Sequence, residues 1–393
     1  DTSTLRVEVN ASGATNSLCG INVEIRDGEG LVAAGQTSDE KLDLIVPLPN
    51  PKLWSPDSPH LYDLTVEICD NAGPVDRVGS YFGMRKFSLG RDGEGRPRLC
   101  LNNQPLFQYG PLDQGYWPEG LYTPPSDKAM LCDLELVKML GCNMVRKHVK
   151  VEPARYYYHC DQLGLIVWQD MINGAKAVGN IKSFLTILFG SKRRDDKNLR
   201  TSGRHVYDSR YDYMRELREV VEHLYNFTCI GMWVPFNEGW GQFDARATAE
   251  WLKLYDPTRP IDHASGWFDQ GGGDCHSLHV YFKSLPKLKP DEKRAAILSE
   301  FGGYSLKHEG HLWNCDKNFG YKKFKTSDNL TEAYISLLEK QLMPLIEQGL
   351  SGAVYTQLAD VEIETNGFVS YDRAIMKMDV SRVREVHEKL LNT

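Results

Sequence analysis

The chain contains 393 residues, of which 41% are apolar and 25% are charged, and its formal net charge at pH 7 is -7. This length indicates about two domains, or one barrel with an appendage. The basic run from Lys192 to Arg194 is followed at once by Asp195, so we expect no nucleic-acid surface. No apolar stretch approaches the roughly 20 residues that cross a bilayer, so we expect no membrane partner.

The nine cysteines are scattered, and none forms a CxxC pair. This pattern favours buried, reduced thiols over a disulfide framework or a metal site. Reduced thiols in turn favour the cytoplasm over secretion or a periplasm. The chain begins with Asp1 and shows no signal-peptide pattern, so its sequence leaves the compartment open.

Residues 1–90 alternate apolar and polar side chains in short runs such as Leu5–Val9, Ile21–Ile25 and Leu61–Ile68. Clusters of Gly, Asn, Asp and Pro separate these runs. Short alternating strands with regular turn signals are typical of an antiparallel sandwich. We therefore predict an immunoglobulin-like β-sandwich over residues 1–90.

The polar segment Arg91–Arg98 marks a domain boundary, because the pattern then changes to apolar runs that alternate with amphipathic stretches. Such an alternation, repeated eight times, predicts a (β/α)8 barrel over residues 91–393. An open doubly wound sheet is the alternative, although Gly110–Asp113 is not the Gly-rich phosphate turn that it would favour. The expected strands are Pro105–Tyr109, Asn143–His148, Leu165–Met171, Ile230–Glu238, Pro260–Ser265, Ser277–Tyr281, Ala295–Phe301 and Gly352–Leu358.

One connection, from about Ile172 to Arg210, is unusually long for a compact domain. Loops that follow barrel strands lie on the active-site face. We expect this loop to form part of a pocket wall, with a purely decorative loop as the alternative.

Two expected barrel strands stop at a glutamate, with a glycine one or two residues beyond it. Glu238 ends strand four and Glu300 ends strand seven. These strands lie on opposite sides of an eight-stranded barrel, so their ends face each other across its mouth. Two facing carboxylates are the minimal apparatus for cleaving a glycosidic bond, whereas helix caps or salt bridges are the structural alternative. Trp233 and Trp240, near Glu238 in sequence, could help to keep that carboxyl protonated.

Several stretches in one order resemble glycoside hydrolase family 2, which includes β-galactosidases, β-glucuronidases and β-mannosidases. They are Leu53–Pro56 with Pro59–Tyr62, Phe82–Lys86, Leu101–Leu106, Met139–His148, Asn237–Gly241 and Ser299–Gly302. The resemblance runs nearly from end to end. It implies a retaining mechanism with two displacements.

By this resemblance, Glu238 is the acid/base and Glu300 the nucleophile. Asn237 would bind the sugar 2-hydroxyl, and Arg146 and Tyr281 would contact the nucleophile. Further candidates for sugar contact lie near strand ends, with a structural hydrogen bond as an equal alternative for most of them: Asp113, His148, Asp170, Trp240, Trp267, His279 and Gln357. We assign Trp54 and Trp168 to core packing.

Members of the family carry an N-terminal jelly-roll domain, and this sequence starts after the corresponding point, which puts the activity of this piece in question. We expect no cofactor and no required metal, because the metal ligands of large β-galactosidases do not align. The expected substrate is an oligosaccharide or glycoside, most often a β-galactoside. A β-glucuronide, for which Lys182, Lys192 or Arg193 could supply a cation, a β-mannoside and a β-glucosaminide remain alternatives. For the function of the chain, a catalytically weak carbohydrate-binding module remains an alternative. For its assembly, a homo-oligomer remains possible.

Overall fold

The computed structural model describes residues 2–12, 18–38, 42–176, 194–197 and 199–393. These residues form two compact units. The first comprises residues 1–86 with 226–228, and the second comprises residues 87–225 with 229–393. The division at 86/87 precedes the expected boundary by a few residues, because the strand Phe87–Arg91 pairs with Pro97–Leu101 in the second unit.

The first unit is an antiparallel β-sandwich, as predicted. Its strands are β1 (Thr4–Glu8), β2 (Leu18–Asp27), β3 (Gly30–Gln36), β4 (Asp43–Pro47), β5 (Tyr62–Asp70) and β6 (Gly73–Phe82). Strands β1 and β4 pair in one sheet, and the other sheet has the order β3-β2-β5-β6.

Alternation of side chains along the strands places the sandwich core. Val23 and Ile25 are buried, whereas Asn22 and Glu24, which alternate with them along the strand, are partly exposed. Successive side chains of a strand point to opposite faces, so the apolar set lines one face. Val7 and Val46 from the facing sheet, and Tyr62 from the neighbouring strand β5, complete the same apolar cluster.

The second unit contains the parallel barrel. Before it lie β7 (Phe87–Arg91), β8 (Pro97–Leu101) and β9 (Gln104–Pro105), and its main strands are β10 (Gln108–Asp113), β11 (Met144–Lys147), β12 (Ile166–Asp170), β13 (Ile230–Val234), β14 (Cys275–Val280), β15 (Ala295–Gly302) and β18 (Leu350–Thr356). Short strands β16 (Tyr304–Leu306) and β17 (Lys322–Phe324) precede the last of them. The sheet order is β13-β12-β11-β10-β18-β15-β14, and every pairing in it is parallel.

The fifth expected strand, residues 260–265, joins the two ends of this sheet. It makes parallel bridges to strand β13 at Trp233–Ile261 and Asn237–Ser265. On its other side, the Asp274 N–H donates to the Ile261 carbonyl at 2.8 Å. Each of the eight expected barrel strands therefore has a counterpart among the described residues, although the bounds of the first one differ.

The helices lie between the strands: α1 (Asp127–Met139), α2 (Ala154–Leu163), α3 (Tyr207–Leu224), α4 (Ala245–Tyr255), α5 (Ser327–Leu337), α6 (Met343–Glu347) and α7 (Val380–Leu391). A π-helical segment, Leu338–Leu342, connects α5 to α6. Side chains of Ser126, Thr326 and Asp379 accept hydrogen bonds from backbone N–H groups in the first turns of α1, α5 and α7. Such caps satisfy donors that have no partner inside the helix.

The prediction for the first barrel strand was wrong in its position. Pro105 belongs to the preceding hairpin, where Gln104–Pro105 pairs with Cys100–Leu101. Strand β10 starts only at Gln108 and runs to Asp113, so Asp113 ends the strand instead of following it.

Most of the long connection after strand three lies outside the described residues, including Lys182, Lys192 and Arg193. Its described end packs beside the loop that follows strand four. There Asp195 is buried, and its carboxylate accepts hydrogen bonds from the Gln242 side chain at 2.8 Å and the Ala245 N–H at 3.0 Å. The predicted role of the loop as a pocket wall stays a prediction.

The cysteines are all free, as expected, but burial was predicted too broadly. Cys132 and Cys315 are exposed. Trp54 and Trp168 are fully buried, which confirms their assignment to core packing. Among the residues that the structure describes, no helix is both long enough and apolar enough to cross a bilayer.

A buried ion pair provides a test of the barrel packing. Asp256 accepts hydrogen bonds from Arg259 and from the Trp233 indole, each at 2.8 Å, and all three side chains are almost fully buried. We expect Arg259→Met to lower the free energy of unfolding by about 3–5 kcal/mol, because it leaves the Asp256 charge buried without its partner. The measurement is urea denaturation followed by circular dichroism.

The matched control is Arg246→Met, which breaks the exposed pair with Glu250, whose side chains are 66% and 64% exposed. We expect a change within about 0.5 kcal/mol there. Equal effects of the two substitutions would contradict the proposed importance of the buried pair.

Candidate active site

Arg146, at the end of the second barrel strand, is the centre of the site. Its side chain is fully buried and donates to acceptors at the ends of three barrel strands, the third, the fourth and the seventh. Two parallel hydrogen bonds, of 2.9 and 3.0 Å, join it to the Asp170 carboxylate. It also donates to the Ser299 carbonyl at 2.9 Å, to the Asn237 amide oxygen at 2.9 Å and to Glu300 Oε1 at 3.2 Å. A guanidinium can hold several acceptors at once because its donors form a planar fork.

Glu300 is bound on both carboxylate oxygens. Arg146 donates to Oε1, and the Tyr281 hydroxyl lies 2.5 Å from Oε2 and donates to it. The Tyr281 hydroxyl also lies 2.8 Å from Thr356 Oγ1, and its ring stacks on Tyr321 with centroids 3.8 Å apart. The Glu300 carboxylate is therefore fixed in direction and lies beside a buried cation.

Glu238 lies in a different environment. Its backbone has a φ of 50°, in the left-handed region that non-glycine residues rarely adopt. Gly239, with a φ of 70°, follows it. The Glu238 side chain is 18% exposed, and burial raises the pKa of its carboxyl to about 7. Near neutral pH this carboxyl can therefore hold a proton, as a general acid must.

His279 lies between the two glutamates. Its Nδ1 is 2.9 Å from Glu238 Oε1 and 3.5 Å from Glu300 Oε2, and its Nε2 is 3.0 Å from Ser265 Oγ. Burial lowers the pKa of this imidazole to about 4, so it is neutral near pH 7. One atom from each of Glu238, His279 and Glu300 lies within 4.8 Å of the others. The two carboxylates therefore approach each other as closely as in a retaining glycosidase, where about 5 Å is usual.

The same three atoms could approach a metal ion. The expectation that no metal is required stays a prediction.

Asp170 and Asp113 are saturated by donors of the protein. Beyond Arg146, the Asp170 carboxylate lies 2.9 Å from His148 Nδ1, which is how His148 enters the site. Asp113 accepts from Lys147 at 2.8 Å and from Tyr156 at 3.0 Å. Both aspartates therefore have hydrogen-bond partners within the protein, which is the structural alternative to sugar contact that the sequence left open.

Gln357, Trp240 and Trp267 differ in their access to solvent. The Gln357 side chain is fully buried, accepts a hydrogen bond from Gln114, and donates to Glu364 and Asn366, each at 2.8 Å. Trp267 is 6% exposed, whereas Trp240 is 44% exposed. Trp240 therefore has an indole surface that a ligand could reach.

The expectation that Trp233 helps to keep Glu238 protonated was wrong. The Trp233 indole donates to Asp256, the residue that ends helix α4, so it points into the helix layer. Alternation along strand β13 explains this direction, because neighbouring side chains point to opposite faces.

Sequence reasoning also missed two residues near the carboxylates. Tyr321 stacks on Tyr281, and Glu364 accepts a hydrogen bond from Gln357. Both lie in irregular segments outside the strands of the barrel, where no periodic pattern gives a signal. The only hint in the sequence was that an acidic residue, Glu364, comes shortly after strand eight.

Comparison with known protein families gives two matches along the chain. Residues 1–85 match the family described as Glycosyl hydrolases family 2, and residues 125–374 match the TIM barrel domain of that family. The chain belongs to glycoside hydrolase family 2. This agrees with the resemblance found in the sequence.

One relative within the family is a β-galactosidase of Leuconostoc mesenteroides. It is 28% identical over 266 residues, which cover 67% of this chain and 23% of the relative. The chain thus spans about a quarter of the length of this relative.

Solved structures share the fold. A structure of an FMN-binding β-glucuronidase from Facaelibacterium prausnitzii L2-6 aligns with a TM-score of 0.71 at 16% identity, covering 100% of this chain and 60% of the other. A β-galacturonidase from Eisenbergiella tayi, bound to galacturonate, aligns with a TM-score of 0.65 at 18% identity, covering 95% of this chain and 66% of the other.

The environment of Glu238 predicts a pH-dependent effect on stability. Its pKa is about 7 in the folded chain, against 4.5 for the free side chain, so the folded state binds the proton more tightly. The contribution of this group to stability is therefore largest at low pH and decreases as pH rises through this window. We expect Glu238→Gln to stabilise the protein by about 1–3 kcal/mol at pH 8 and to have little effect at pH 4.5.

Thermal denaturation of the two proteins at both pH values measures this difference. Glu250→Gln, on the exposed face of helix α4, is the control and should show no comparable pH dependence. A Glu238→Gln protein less stable than wild type at pH 8 would contradict the assigned environment.

Proposed function

We propose that the chain is a retaining β-glycosidase in which Glu300 is the nucleophile and Glu238 is the acid/base. The observation that carries this proposal is the asymmetric pair of carboxylates. They lie within 4.8 Å of each other across a neutral histidine. One is bound by Arg146 and Tyr281, and burial raises the pKa of the other. Separate environments let two glutamates act in different protonation states at one pH.

In the first step, a Glu300 oxygen attacks the anomeric carbon of the sugar. The bond from that carbon to the leaving oxygen breaks, and the Glu238 carboxyl donates its proton to that oxygen. A covalent glycosyl-enzyme and a free alcohol result. Arg146 and Tyr281 orient the nucleophile, since each donates a hydrogen bond to one oxygen of its carboxylate.

In the second step, the ionised Glu238 removes a proton from a water molecule. The water oxygen attacks the anomeric carbon, and the bond to Glu300 breaks. Two inversions retain the β configuration, and Glu238 regains its proton. Because Glu238 must be protonated for the first step, activity with poor leaving groups should decrease as pH rises above about 7.

Asn237 is placed to bind the sugar beside the nucleophile. Its amide oxygen accepts a hydrogen bond from Arg146 at 2.9 Å, and this bond fixes the orientation of the amide. The amide nitrogen can then donate to the hydroxyl at C2. Such contacts strengthen as charge develops on the sugar in the transition state.

The proposed substrates are terminal β-galactosides, a choice supported by relatives that are named β-galactosidases. A β-glucuronidase or a β-mannosidase is the alternative within the family. The fold neighbours named for uronides share too little sequence to transfer a substrate, because likeness at 16–18% identity supports the fold alone. A carbohydrate-binding module without catalysis is the competing class, and the complete carboxylate pair argues against it.

Variants at Glu300 test the nucleophile. With a panel of 4-nitrophenyl β-glycosides, we expect Glu300→Gln to lower kcat by at least about 10⁴-fold, since the amide cannot form the glycosyl-enzyme. Azide should restore turnover in Glu300→Gly and yield a glycosyl azide of inverted, α configuration. Nuclear magnetic resonance of the product determines this configuration.

The exposed residue Glu362 provides the control, and Glu362→Gln should retain wild-type turnover. Near-normal turnover by Glu300→Gln would show that another group is the nucleophile. Sugar binding by the wild-type chain without turnover of any glycoside would instead favour the binding module.

A further inference from the structure

A third carboxylate, Glu364, is connected to the surroundings of Glu300 through hydrogen bonds. It belongs to the segment that follows the last barrel strand, and it is partly buried. Its Oε2 accepts a hydrogen bond of 2.8 Å from the Gln357 side chain. Gln357 directly follows Thr356, whose hydroxyl lies 2.8 Å from the Tyr281 hydroxyl that donates to Glu300. The position of Glu364 is therefore fixed relative to the nucleophile.

The segment with residue 319 holds Glu364 from the other side. The Phe319 N–H donates to the Ile363 carbonyl at 2.6 Å, and the Thr365 N–H donates to the Phe319 carbonyl at 2.9 Å. The Phe319 ring contacts Tyr321 edge to face, with centroids 5.1 Å apart, and Tyr321 stacks on Tyr281. Backbone bonds and contacting aromatic rings thus connect the segment of Glu364 to Tyr281, the hydrogen-bond donor of Glu300.

The electrostatics of this position agree with its geometry. Burial, and after it the negative charge of Glu300, raises the pKa of Glu364 to about 7, and Glu238 acts in the same direction. His148 acts in the opposite direction. Like charges that raise each other's pKa in this way lie close enough to interact through the protein interior, which agrees with the hydrogen-bonded connection through Gln357.

Three buried cations on the second barrel strand and just after it already have partners among the described residues. Arg146 is occupied by Asp170, Asn237 and Glu300. Lys147 and Lys150 are buried, and both pair with Glu152, at 2.6 and 2.8 Å.

Glu364 retains a free acceptor. Its Oε1 receives no hydrogen bond from the described residues, whereas Oε2 is used by Gln357. A carboxylate oxygen can accept from a sugar hydroxyl, and such bonds are stronger than those between neutral groups. A ligand that carries its own carboxylate would bring a like charge to the same oxygen.

Resting on the proposed glycosidase function, we propose that Glu364 determines substrate class: it accepts a hydrogen bond from a hydroxyl of a neutral β-hexoside and excludes β-hexuronides. The exclusion acts by repulsion between carboxylates in a pocket with little solvent. Discrimination of this kind combines an attractive contact for one ligand with a repulsive one for the other. The residue thus selects neutral sugars without taking part in bond cleavage.

A test needs pairs of substrates that differ only at C6. We propose kcat/KM measurements with the 4-nitrophenyl β-galactoside and β-galacturonide, and with the glucoside and glucuronide, at pH 8. Wild type should favour the neutral member of the better pair by at least about 100-fold. Glu364→Gln, which keeps the shape but removes the charge, should reduce that ratio by at least about 10-fold. Glu362→Gln, an exposed neighbour, should leave the ratio unchanged.

A structural role would give a different result. If Glu364 only holds Gln357 in place, Glu364→Gln lowers kcat/KM for both members in parallel, and an unchanged ratio overturns the proposal. A wild-type preference for the uronide overturns it as well.

Equilibrium binding separates this inference from the proposed function. Calorimetric titration with galactose and galacturonic acid, and with glucose and glucuronic acid, measures the preference without turnover. If Glu364→Gln shifts the binding preference between neutral sugar and uronic acid but the wild type hydrolyses no glycoside, the inference is supported and the glycosidase function is rejected. If the wild type hydrolyses glycosides but Glu364→Gln leaves the preference unchanged, the function is supported and the inference is rejected. A chain that neither binds nor cleaves these sugars rejects both.

Discussion

One buried cation organises the candidate site. Removal of the Arg146 guanidinium from water is unfavourable unless acceptors surround it, and the ends of three barrel strands supply them. The Asp170 carboxylate accepts from two of its nitrogens, while Asn237 and Glu300 accept from its other N–H groups. The need to satisfy one charge thus fixes both the amide that we propose binds the sugar and the proposed nucleophile. An engineered change at Arg146 would therefore disturb several parts of the site together.

The chemistry depends on a contrast between two otherwise identical side chains. Glu300 lies beside a cation and a tyrosine hydroxyl, whereas Glu238 faces a neutral histidine and is largely buried. Burial therefore raises the pKa of Glu238, and this carboxyl can carry the proton that the leaving group needs. The neutrality of His279 is part of the same arrangement, since a charged imidazole would favour the ionised form of Glu238.

Much of the architecture could be predicted from periodic patterns. Alternation predicted the sandwich, and apolar runs that end in polar residues predicted the barrel and the placement of Glu238 and Glu300. Arg146 was singled out by the family resemblance. The first barrel strand was misplaced because Pro105 extends an apolar run that belongs to a hairpin. Glu364 escaped prediction because a pairing with the distant Phe319, and no local period, holds it in place. Contacts between irregular segments are set by tertiary packing, so the chain offers no local signal for them.

The central claim is that Glu300 forms a covalent bond to the sugar, and trapping that bond tests it most directly. A 2-deoxy-2-fluoro-β-galactoside with an activated leaving group slows the second displacement more than it prevents the first, so the intermediate accumulates. After proteolysis and mass spectrometry, the account predicts one fluorosugar on the peptide that contains Glu300, and none on that peptide from Glu300→Gln. A label on another residue, or release of the leaving group without any labelled peptide, would contradict it.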